Sequence, residues 1–508
     1  MNRKLLFTIP SAFLMATALH ADPFMHVSNG DKTPNDIKVE SIQEVRHTVN
    51  EKGERVIRMT DANGIEKDYP LDNAKISFDS DYTRASEEIS DWTEYPYFPI
   101  KREPRDSDYR DRVQEYQEDL ASYRAWLNFR NDNPIHYNQE WVTITDSSNV
   151  RQMGLFSEIV KESKEPKNFI YSPLSLQFAL AMLANGSREN VYEKITKFMG
   201  KENWDVEEMN EYFNQIIVRL VSLDGPKIGI SNGVWMAKGH IFGQNFLTNL
   251  REWYYANTCN VDFSQDSTYE IMDDWVKERT LGLIEEMSVE KNPSIMMVLA
   301  NTLYLNAMWM HSFDKEKTDT CSFWNYDSTE VKVPTMHMID EEQIPVYDGE
   351  DYQAVSLAFN NCTFEMEFFL PKKGQSPLDL IDKMDSTKYN SDCYLTLDIP
   401  KFSLSDNTNL NDPLTQIDLG ILFGIDYPAI ANYIMVDKIF QKTKMELDEE
   451  GVKAAALTVI IMSGAAPLEI EDKHVHISLN RPFLFRIKDR QHHTVPFVGI
   501  INTLKEEN

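Results

Sequence analysis

From about residue 147 to its end, the sequence alternates between helix-like and strand-like segments without long linkers. Apolar residues recur at helical spacing in two stretches, residues 174–183 and 271–283. Apolar runs with strand character occur in four more, residues 228–236, 294–305, 363–370 and 474–479. Helices and strands that follow one another this closely are typical of one mixed domain. We therefore predict an α+β domain over residues 147–508.

The first 146 of the 508 residues have a different character. Three short strand-like runs, residues 55–59, 65–69 and 74–78, are separated by turn signals such as Asn63-Gly64. They predict a small β-rich unit over residues 22–92. The ending of this unit, YPLDNAKISF, is similar to short β modules in exported proteins of gut-type bacteria, which hints at a bacterial origin.

Residues 93–146 are predicted to form a connector followed by a helix. The stretch TEYPYFPIKREPR, residues 93–105, is rich in proline and aromatic residues, as in a semi-extended segment on a surface. One stripe of an amphipathic helix follows at three- and four-residue steps: Tyr109, Val113, Tyr116, Leu120, Tyr123 and Leu127. We expect this stripe to pack against the chain's own large domain, with a coiled-coil partner as the alternative.

The amino terminus has the pattern of an export signal. A basic start at Arg3 and Lys4 precedes an apolar stretch and small residues that end at Ala21. We therefore expect residues 1–21 to be a cleaved signal peptide. The mature chain would be secreted, periplasmic or associated with the cell surface.

Charge and hydropathy exclude several classes of partner. The formal net charge is -30, so both nucleic acid and an anionic membrane surface would repel the chain. No later stretch approaches the roughly 20 apolar residues that a membrane helix needs, and we expect no membrane insertion.

Signals for catalysis or metal binding are weak. The sequence lacks G-x-S-x-G, P-loop, G-x-G-x-x-G and H-E-x-x-H motifs, and a lone S-x-x-K at Ser288 and Lys291 has no K-T-G partner. The four cysteines, Cys259, Cys321, Cys362 and Cys393, are too far apart in sequence for a structural zinc site, and they permit disulfides without requiring them. Four histidines, His474, His476, His492 and His493, are interpreted as surface residues. We therefore expect neither an enzyme nor a resident metal or cofactor.

The segment LDEEGVKAAALTVIIMSGAAPLEIE, residues 447–471, is unusual. An acidic run and a glycine precede three alanines, which favour a helix, and then β-branched residues, which favour a strand. The segment is either a buried strand with a turn at residues 464–467, or a segment that changes its partner.

Eight segments in order resemble the serpin family across residues 147–506. They are NFIYSPLSLQFALAMLANGS, ISNGVW, MDDWVKERTLGLI, LANTLYLNAMW, VPTMHM, the segment at 447–471, LNRPFLFRI and VPFVGIIN. The resemblance implies an α+β fold with three β-sheets and eight or nine helices, and a reactive loop at about residues 449–473. It also implies a suicide mechanism: a target protease forms an acyl-enzyme with the loop, and the cleaved loop then inserts into the central sheet and traps the protease covalently.

By this resemblance, the hinge of the loop consists of ten consecutive residues: Glu449, Glu450, Gly451, Val452, Lys453, Ala454, Ala455, Ala456, Leu457 and Thr458. Successive residues of an inserted strand point to opposite faces of the sheet. The inward positions would be Val452, Ala454, Ala456 and Thr458, and the outward ones would be Lys453, Ala455, Leu457 and Val459. Small inward residues and an outward charge permit insertion, although Val452 replaces the family's usual threonine or serine.

Other positions match residues that control opening of the central sheet in the family. The match implies a shutter beneath the sheet and a contact where insertion begins: Asn168, Ser172, Pro173, Ser175, Asn301, Trp309 and Gln441. Gln441 stands where the family often has histidine. Its amide can still donate and accept hydrogen bonds, but it does not titrate.

The target protease is constrained by the residues around the expected cut. The family's spacing places the cut near Ala465 and Ala466, with Met462 and Leu468 as other reactive-bond candidates. No lysine or arginine lies in residues 462–471, which argues against a trypsin-like target. Small residues favour an elastase-like or subtilisin-like serine protease, whereas Met462 or Leu468 would suit a chymotrypsin-like or papain-like enzyme.

Two interpretations therefore stand beside each other. The first is a monomeric protease inhibitor that forms a covalent complex with its target. The second is a binding or carrier protein on the same fold, whose loop is cleaved without inserting. The alanine-rich hinge favours the first.

Overall fold

The computed structural model describes the backbone of six strands between residues 24 and 79, and then residues 138–162, 166–222, 227–341, 344–360, 362–391, 393–452 and 473–506. The predicted export signal, the predicted helix at residues 109–127 and residues 453–472 lie outside the described residues. The chain divides into two units, of which the smaller contains the strands before residue 80 and the larger contains every helix and strand from residue 139 on.

The smaller unit consists of two antiparallel sheets of three strands each. Its strands are β1 (Phe24–Asn29), β2 (Asn35–Lys38), β3 (Ile42–Val49), β4 (Arg55–Asp61), β5 (Glu66–Pro70) and β6 (Ala74–Asp79). One sheet has the order β2-β1-β6 and the other β3-β4-β5. Strands β4, β5 and β6 coincide with the three runs that the sequence predicted.

The larger unit contains seven α-helices among its described residues. They are α1 (Gln139–Glu162), α2 (Pro173–Ala184), α3 (Glu189–Phe198), α4 (Val206–Ser222), α5 (Gln244–Tyr254), α6 (Asp266–Arg279) and α7 (Asn411–Leu414). A ten-residue 3₁₀ helix, Pro377–Ser386, is the eighth helical element, beside single turns at Lys315–Lys317, Thr415–Leu419 and Gly420–Leu422. Helix α1 runs without a break across residues 146 and 147, between which the sequence analysis placed a boundary.

Sixteen strands complete the larger unit. They are β7 (Phe169–Tyr171), β8 (Lys227–Ala237), β9 (Asn257–Val261), β10 (Met297–Met308), β11 (Asp319–Trp324), β12 (Glu330–Glu341), β13 (Val346–Asp348), β14 (Tyr352–Ala358), β15 (Phe364–Pro371), β16 (Tyr394–Pro400), β17 (Phe402–Asn409), β18 (Phe440–Leu447), β19 (Gly451–Val452), β20 (His474–Ser478), β21 (Phe483–Asp489) and β22 (Phe497–Ile501).

These strands form three sheets, as expected. The central sheet has the order β17-β18-β19-β10-β8-β9, the second sheet β13-β14-β15-β21-β22-β7, and the third sheet β11-β12-β16-β20. The α+β class with three sheets and eight helical elements is confirmed for the larger unit.

Helix α2 shows why the sequence folds this way beneath the central sheet. Ser172 precedes it as N-cap, and its hydroxyl accepts a hydrogen bond from the amide of Ser175 at 3.2 Å. Pro173 occupies the first helical position, where its missing N–H costs nothing. Every residue of α2 except Ala179 is buried, so the helix is apolar on all sides because it lies inside the unit.

The short strand β19 occupies a special place in the central sheet. Val452 lies opposite Ala307 of β10 on one side and opposite Leu447 of β18 on the other, antiparallel to both. Strands β10 and β18 are therefore parallel to each other. Within the described part of the chain, the sheet joins them only through these two residues. We call the line between β10 and β18 the seam.

Two further expectations can be compared with the structure. None of the four cysteines, all of which are described, forms a disulfide, and only Cys393 is buried. Among the described residues, no helix has both the length and the apolar character needed to cross a membrane.

Candidate functional site

A tight turn carries the chain from β18 into β19. The main chains of Asp448 and Gly451 bond each other in both directions, at 2.9 and 3.2 Å, and the Asp448 carboxylate accepts the amide of Glu450 at 2.9 Å. Gly451 has a φ of +146°, and a Cβ built on it would lie 2.1 Å from the carbonyl oxygen of Ala307. Only glycine fits this conformation and this close approach, so the geometry requires glycine at position 451.

The residues before β19 are held by the segment that follows β10. The amide of Trp309 donates to the carbonyl of Glu450 at 2.9 Å, and its indole Nε1 donates to the carbonyl of Asp448 at 3.1 Å. The amide of Phe313 donates to the carbonyl of Glu449 at 3.0 Å. The ring of Trp309 stacks on Phe359 with centroids 5.0 Å apart. We call this group the top contact; it joins Trp309 to the main chain of Asp448 and Glu450, and the role of Trp309 in insertion stays a prediction.

The two hinge glutamates have different environments. Glu449 is buried, and its carboxylate lies 3.1 Å from Lys401 Nζ and accepts the hydroxyl of Thr318 at 2.8 Å. Burial would raise the pKa of Glu449, but hydrogen bonds from its own amide, Thr318 and Lys401 outweigh this effect and lower the pKa. Glu450 forms an ion pair with Lys315 at 2.5 Å, where solvent screens it. The Glu449 carboxylate is thus held by two segments outside the turn, through Lys401 and Thr318.

Below the top contact, Gln441 of β18 bonds the main chain of Ser172. Its side-chain oxygen accepts the Ser172 amide at 2.8 Å, and its Nε2 donates to the Ser172 carbonyl at 2.9 Å. One amide side chain therefore bonds both main-chain groups of the residue that caps α2, and the carbonyl of that residue also accepts the amide of Leu176 at 3.3 Å. The structure brings together Gln441, Ser172, Pro173 and Ser175, four of the predicted shutter residues.

Two more residues make the same kind of contact, and the sequence analysis missed them. Thr443 of β18 donates its hydroxyl to the carbonyl of Ile170 at 3.0 Å, and Asp406 of β17 accepts the amide of Ile170 at 3.0 Å. Asp406 lies directly opposite Thr443 in the sheet. Burial raises the pKa of Asp406 to about 6, although the Ile170 amide and Lys167 act against it.

A sequence signal for these residues did exist. Along β18 every second side chain is buried, and two members of that buried set, Gln441 and Thr443, are polar. Polar side chains on a buried strand face need partners, so the alternation itself pointed to a hydrogen-bonded layer beneath the sheet. The sequence analysis relied on matched family positions and therefore found only Gln441.

The remaining predicted residues lie elsewhere. Asn301 of β10 donates its Nδ2 to Asn232 of β8 at 2.8 Å, and Asn232 in turn donates to the carbonyl of Tyr254 at 2.8 Å. The Oδ1 of Asn301 is buried and has no hydrogen-bond partner among the residues that the structure describes. Asn168 bonds the main chain of Asn502 and Thr503 at 2.6 to 2.9 Å, and its assignment to the shutter stays a prediction.

Most of the predicted loop lies outside the described residues. This holds for the hinge residues Lys453, Ala454, Ala455, Ala456, Leu457 and Thr458, and for the reactive-bond candidates Met462, Ala465, Ala466 and Leu468.

Comparison with known proteins identifies the family. A family model described as Serpin (serine protease inhibitor) matches residues 148–504. The chain belongs to the serpin family. Among its relatives, Serpin-ZX of Arabidopsis thaliana is 26% identical over 377 residues, which cover 68% of this chain and 95% of that protein.

Solved serpin structures share the fold. The structure of Arabidopsis AtSerpin1 in its native stressed conformation is 23% identical, covers 72% of this chain and 99% of that chain, and has a TM-score of 0.60. Human thyroxine-binding globulin in complex with thyroxine is 22% identical, covers 72% of this chain and 100% of that chain, and has a TM-score of 0.62. Serpins are in general protease inhibitors, but the second structure shows that the same fold can serve as a binding protein.

Proposed function

We propose that this serpin inhibits a serine protease by inserting its cleaved loop into the central sheet. The observation that carries the proposal is the position of Val452, which pairs with β10 on one side and β18 on the other and is buried. Val452, the first inward residue of the predicted hinge, lies at the start of the seam. If the following residues inserted, they would enter the sheet in the same register.

Extension of this register predicts the neighbours of each inserted residue. Val452 faces Ala307 and Leu447, so two-residue steps in an antiparallel strand place Ala454 between Leu305 and Met445. The next two inward residues follow in the same way: Ala456 between Leu303 and Thr443, and Thr458 between Asn301 and Gln441. The inserted strand would therefore present only small side chains, those of Ala454, Ala456 and Thr458, on the buried face of the sheet between β10 and β18. The hydroxyl of Thr458 would come to the level of Asn301 Oδ1, for which the described part of the chain supplies no hydrogen-bond partner.

The same register supports a cut beyond residue 461. Residue 462 would fall opposite Met297, the first residue of β10, so a strand from Val452 to residue 462 would span the sheet, about 33 Å at roughly 3.3 Å per residue. A bond cleaved within residues 462–471 would leave enough chain to fill the seam. Because no lysine or arginine lies in that window, we propose an elastase-like or subtilisin-like target, with a papain-like enzyme as the alternative.

The direct test is to mix the purified mature chain with pancreatic elastase and with subtilisin. A complex that survives boiling in detergent is the expected result, and mass spectrometry of the released peptide should locate the cut within residues 462–471. Cleavage without a covalent complex, across serine and papain-like proteases, would instead favour a binding or carrier function.

A matched pair of variants tests insertion itself. Ala454→Arg places a charge at an inward position, whereas Ala455→Arg places the same charge at an outward position next to Lys453. The first should turn the inhibitor into a substrate, because a guanidinium between Leu305 and Met445 would be buried without a partner. The second should keep the covalent complex. Equal behaviour of the two variants would contradict the register.

We also propose that the chain is exported after removal of residues 1–21. The basic start and the apolar stretch of the amino terminus support this. Mass spectrometry of the amino terminus of the mature protein tests it, and an intact Met1 on protein isolated from cells would contradict it.

A further inference from the structure

Three side chains of different chemistry converge on one face of the third sheet. Asp319 and Cys321 are two residues apart on β11 and therefore point to the same side, and His337 lies on the neighbouring strand β12. The Asp319 carboxylate is 3.0 Å from Cys321 Sγ and 3.1 Å from His337 Nε2, and the sulfur is 4.0 Å from the same nitrogen. Insertion of the loop into the central sheet uses none of these three residues.

The distances between these atoms lie within a few tenths of an ångström of the spacing of ligands around one ion. Ligands of a tetrahedral zinc lie at about 2.0 to 2.3 Å from the metal, which places them about 3.3 to 3.7 Å from one another. The three observed separations bracket this range, so movements of a few tenths of an ångström would form three corners of a tetrahedron. Asp319 is exposed and both Cys321 and His337 are partly exposed, so an ion can reach the site from solvent.

The orientation of the histidine is fixed by a residue behind it. His337 Nδ1 lies 2.8 Å from the carboxylate of Asp398 on β16, which leaves Nε2 directed toward Cys321 and Asp319. A carboxylate that accepts the distal N–H of a histidine is the usual support of a metal-binding imidazole, since it fixes the tautomer and raises the basicity of the other nitrogen. This support distinguishes the cluster from a chance meeting of polar side chains.

We propose that Asp319, Cys321 and His337 bind one zinc ion, with water in the fourth position. Oxygen, sulfur and nitrogen ligands together suit zinc, whereas calcium and magnesium prefer oxygen alone. Without metal, the Cys321 thiol donates to Asp319, and burial with this carboxylate raises the pKa of the thiol to about 11. On binding, the ion takes the sulfur lone pair, and the thiol proton passes to solvent.

The site would also connect to the strand that follows the loop. The second oxygen of Asp398 lies 2.8 Å from His476 Nε2 on β20, which begins at His474, just after residues 453–472. The ion would therefore join β11 to β12 directly and fix Asp398, which bonds β20. The sequence analysis missed the cluster because it searched for closely spaced cysteines, whereas these ligands come from two strands that the fold brings together.

The experiment uses the full mature chain without an affinity tag, stripped with EDTA. Titration with zinc by calorimetry, and with cobalt by absorption, should give one ion per chain and a thiolate-to-cobalt charge-transfer band. Cys321→Ser and His337→Gln should weaken binding at least about 100-fold, and Asp398→Asn about 10- to 100-fold. Cys362→Ser, which removes another exposed thiol, is the matched control and should keep both affinity and band.

Two outcomes would overturn the proposal. One is the absence of stoichiometric binding by the wild-type chain, and the other is unchanged binding in both Cys321→Ser and His337→Gln, which would place the ion elsewhere. If a ligand variant fails to fold, the cobalt spectrum of Cys362→Ser provides the test instead. This variant keeps Cys321, so the absence of a thiolate-to-cobalt band in its spectrum would exclude Cys321 as the ligand. None of these outcomes depends on protease inhibition, so the zinc site and the proposed function can fail separately.

Discussion

Substitution of the hinge glycine by alanine gives the sharpest test of the geometry around β19. In Gly451→Ala the new Cβ would lie 2.1 Å from the Ala307 carbonyl oxygen and 2.8 Å from Met308 Cα, both of which are main-chain atoms. Neither can move without displacing β10. The positive φ adds strain of its own, since side chains rarely adopt it. The variant therefore has to release β19 from the sheet.

The free-energy cost of that release follows from the burial and the hydrogen bonds that hold β19 in place. Val452 is buried, and exposing a valine side chain costs about 1.5 to 3 kcal/mol. The bonds from the Trp309 and Phe313 amides to the glutamate carbonyls contribute about 1 kcal/mol each. Part of each interaction persists when the strand shifts, so we expect the free energy needed to open the sheet at β19 to fall by about 3 kcal/mol. This corresponds to an increase of about 100-fold in the equilibrium constant for opening.

Amide hydrogen exchange measured by mass spectrometry is the assay, because the Trp309 and Phe313 amides report on the top contact. Exchange at these two amides should be about 100-fold faster in Gly451→Ala. The matched control is Gly374→Ala, where φ is also positive, +88°, but nothing lies within 4 Å of the new Cβ. That variant should leave both amides unchanged. Equal exchange in Gly451→Ala and wild type would refute the pairing of Val452 with β10.

Two further predictions concern the layer beneath the sheet. Gln441→Ala leaves the buried N–H of Ser172 without its partner, while the carbonyl keeps the Leu176 amide, and should destabilise the native state by about 1 to 3 kcal/mol, measured as faster unfolding in denaturant. Gln441→Glu would set a buried carboxylate against the Ser172 carbonyl oxygen, so it should destabilise the native state more at neutral pH than at low pH, where the protonated group can donate to that carbonyl. Asp406 has a folded pKa of about 6 against an ordinary 3.8, so its contribution to stability is complete below about pH 4 and is lost as pH rises through about 6. The wild-type protein should lose thermal stability between about pH 4 and pH 6, and Asp406→Asn should not show this loss. If the variant and the wild type have the same dependence of thermal stability on pH, other groups cause the loss.

Some of this site was predictable from sequence, and the reasons are physical. Gly451 and the alternation of small residues after it follow from local rules, since φ and side-chain volume act within a few residues. Ser172 and Pro173 carry the capping signals of a helix start. Asp406 and Thr443, in contrast, acquire their role only when β17 and β18 pair and settle over Ile170, 236 and 273 residues away in sequence. Contacts between residues so far apart in sequence form only when the whole chain has folded. The local sequence around Asp406 and Thr443 therefore cannot show that both bond Ile170.

The hydrogen bonds of the central sheet suggest how the seam would open. Side chains of β17 and β18 bond the main chain of residues 170–172, so these two strands are held from below as one body. Strands β10 and β8 are joined through Asn301 and Asn232, and Asn232 bonds the carbonyl of Tyr254 at the end of α5. An inserting strand uses main-chain groups at the facing edges of β10 and β18, whereas these side-chain bonds lie on the buried face. Separation of the two bodies would therefore leave both sets of bonds intact, and the inserted strand would extend β19 along the facing edges of β10 and β18. On this reasoning, Gly451→Ala should slow loop insertion, because it displaces the two residues from which the inserted strand would extend, while Gln441→Ala should loosen β18 without displacing them.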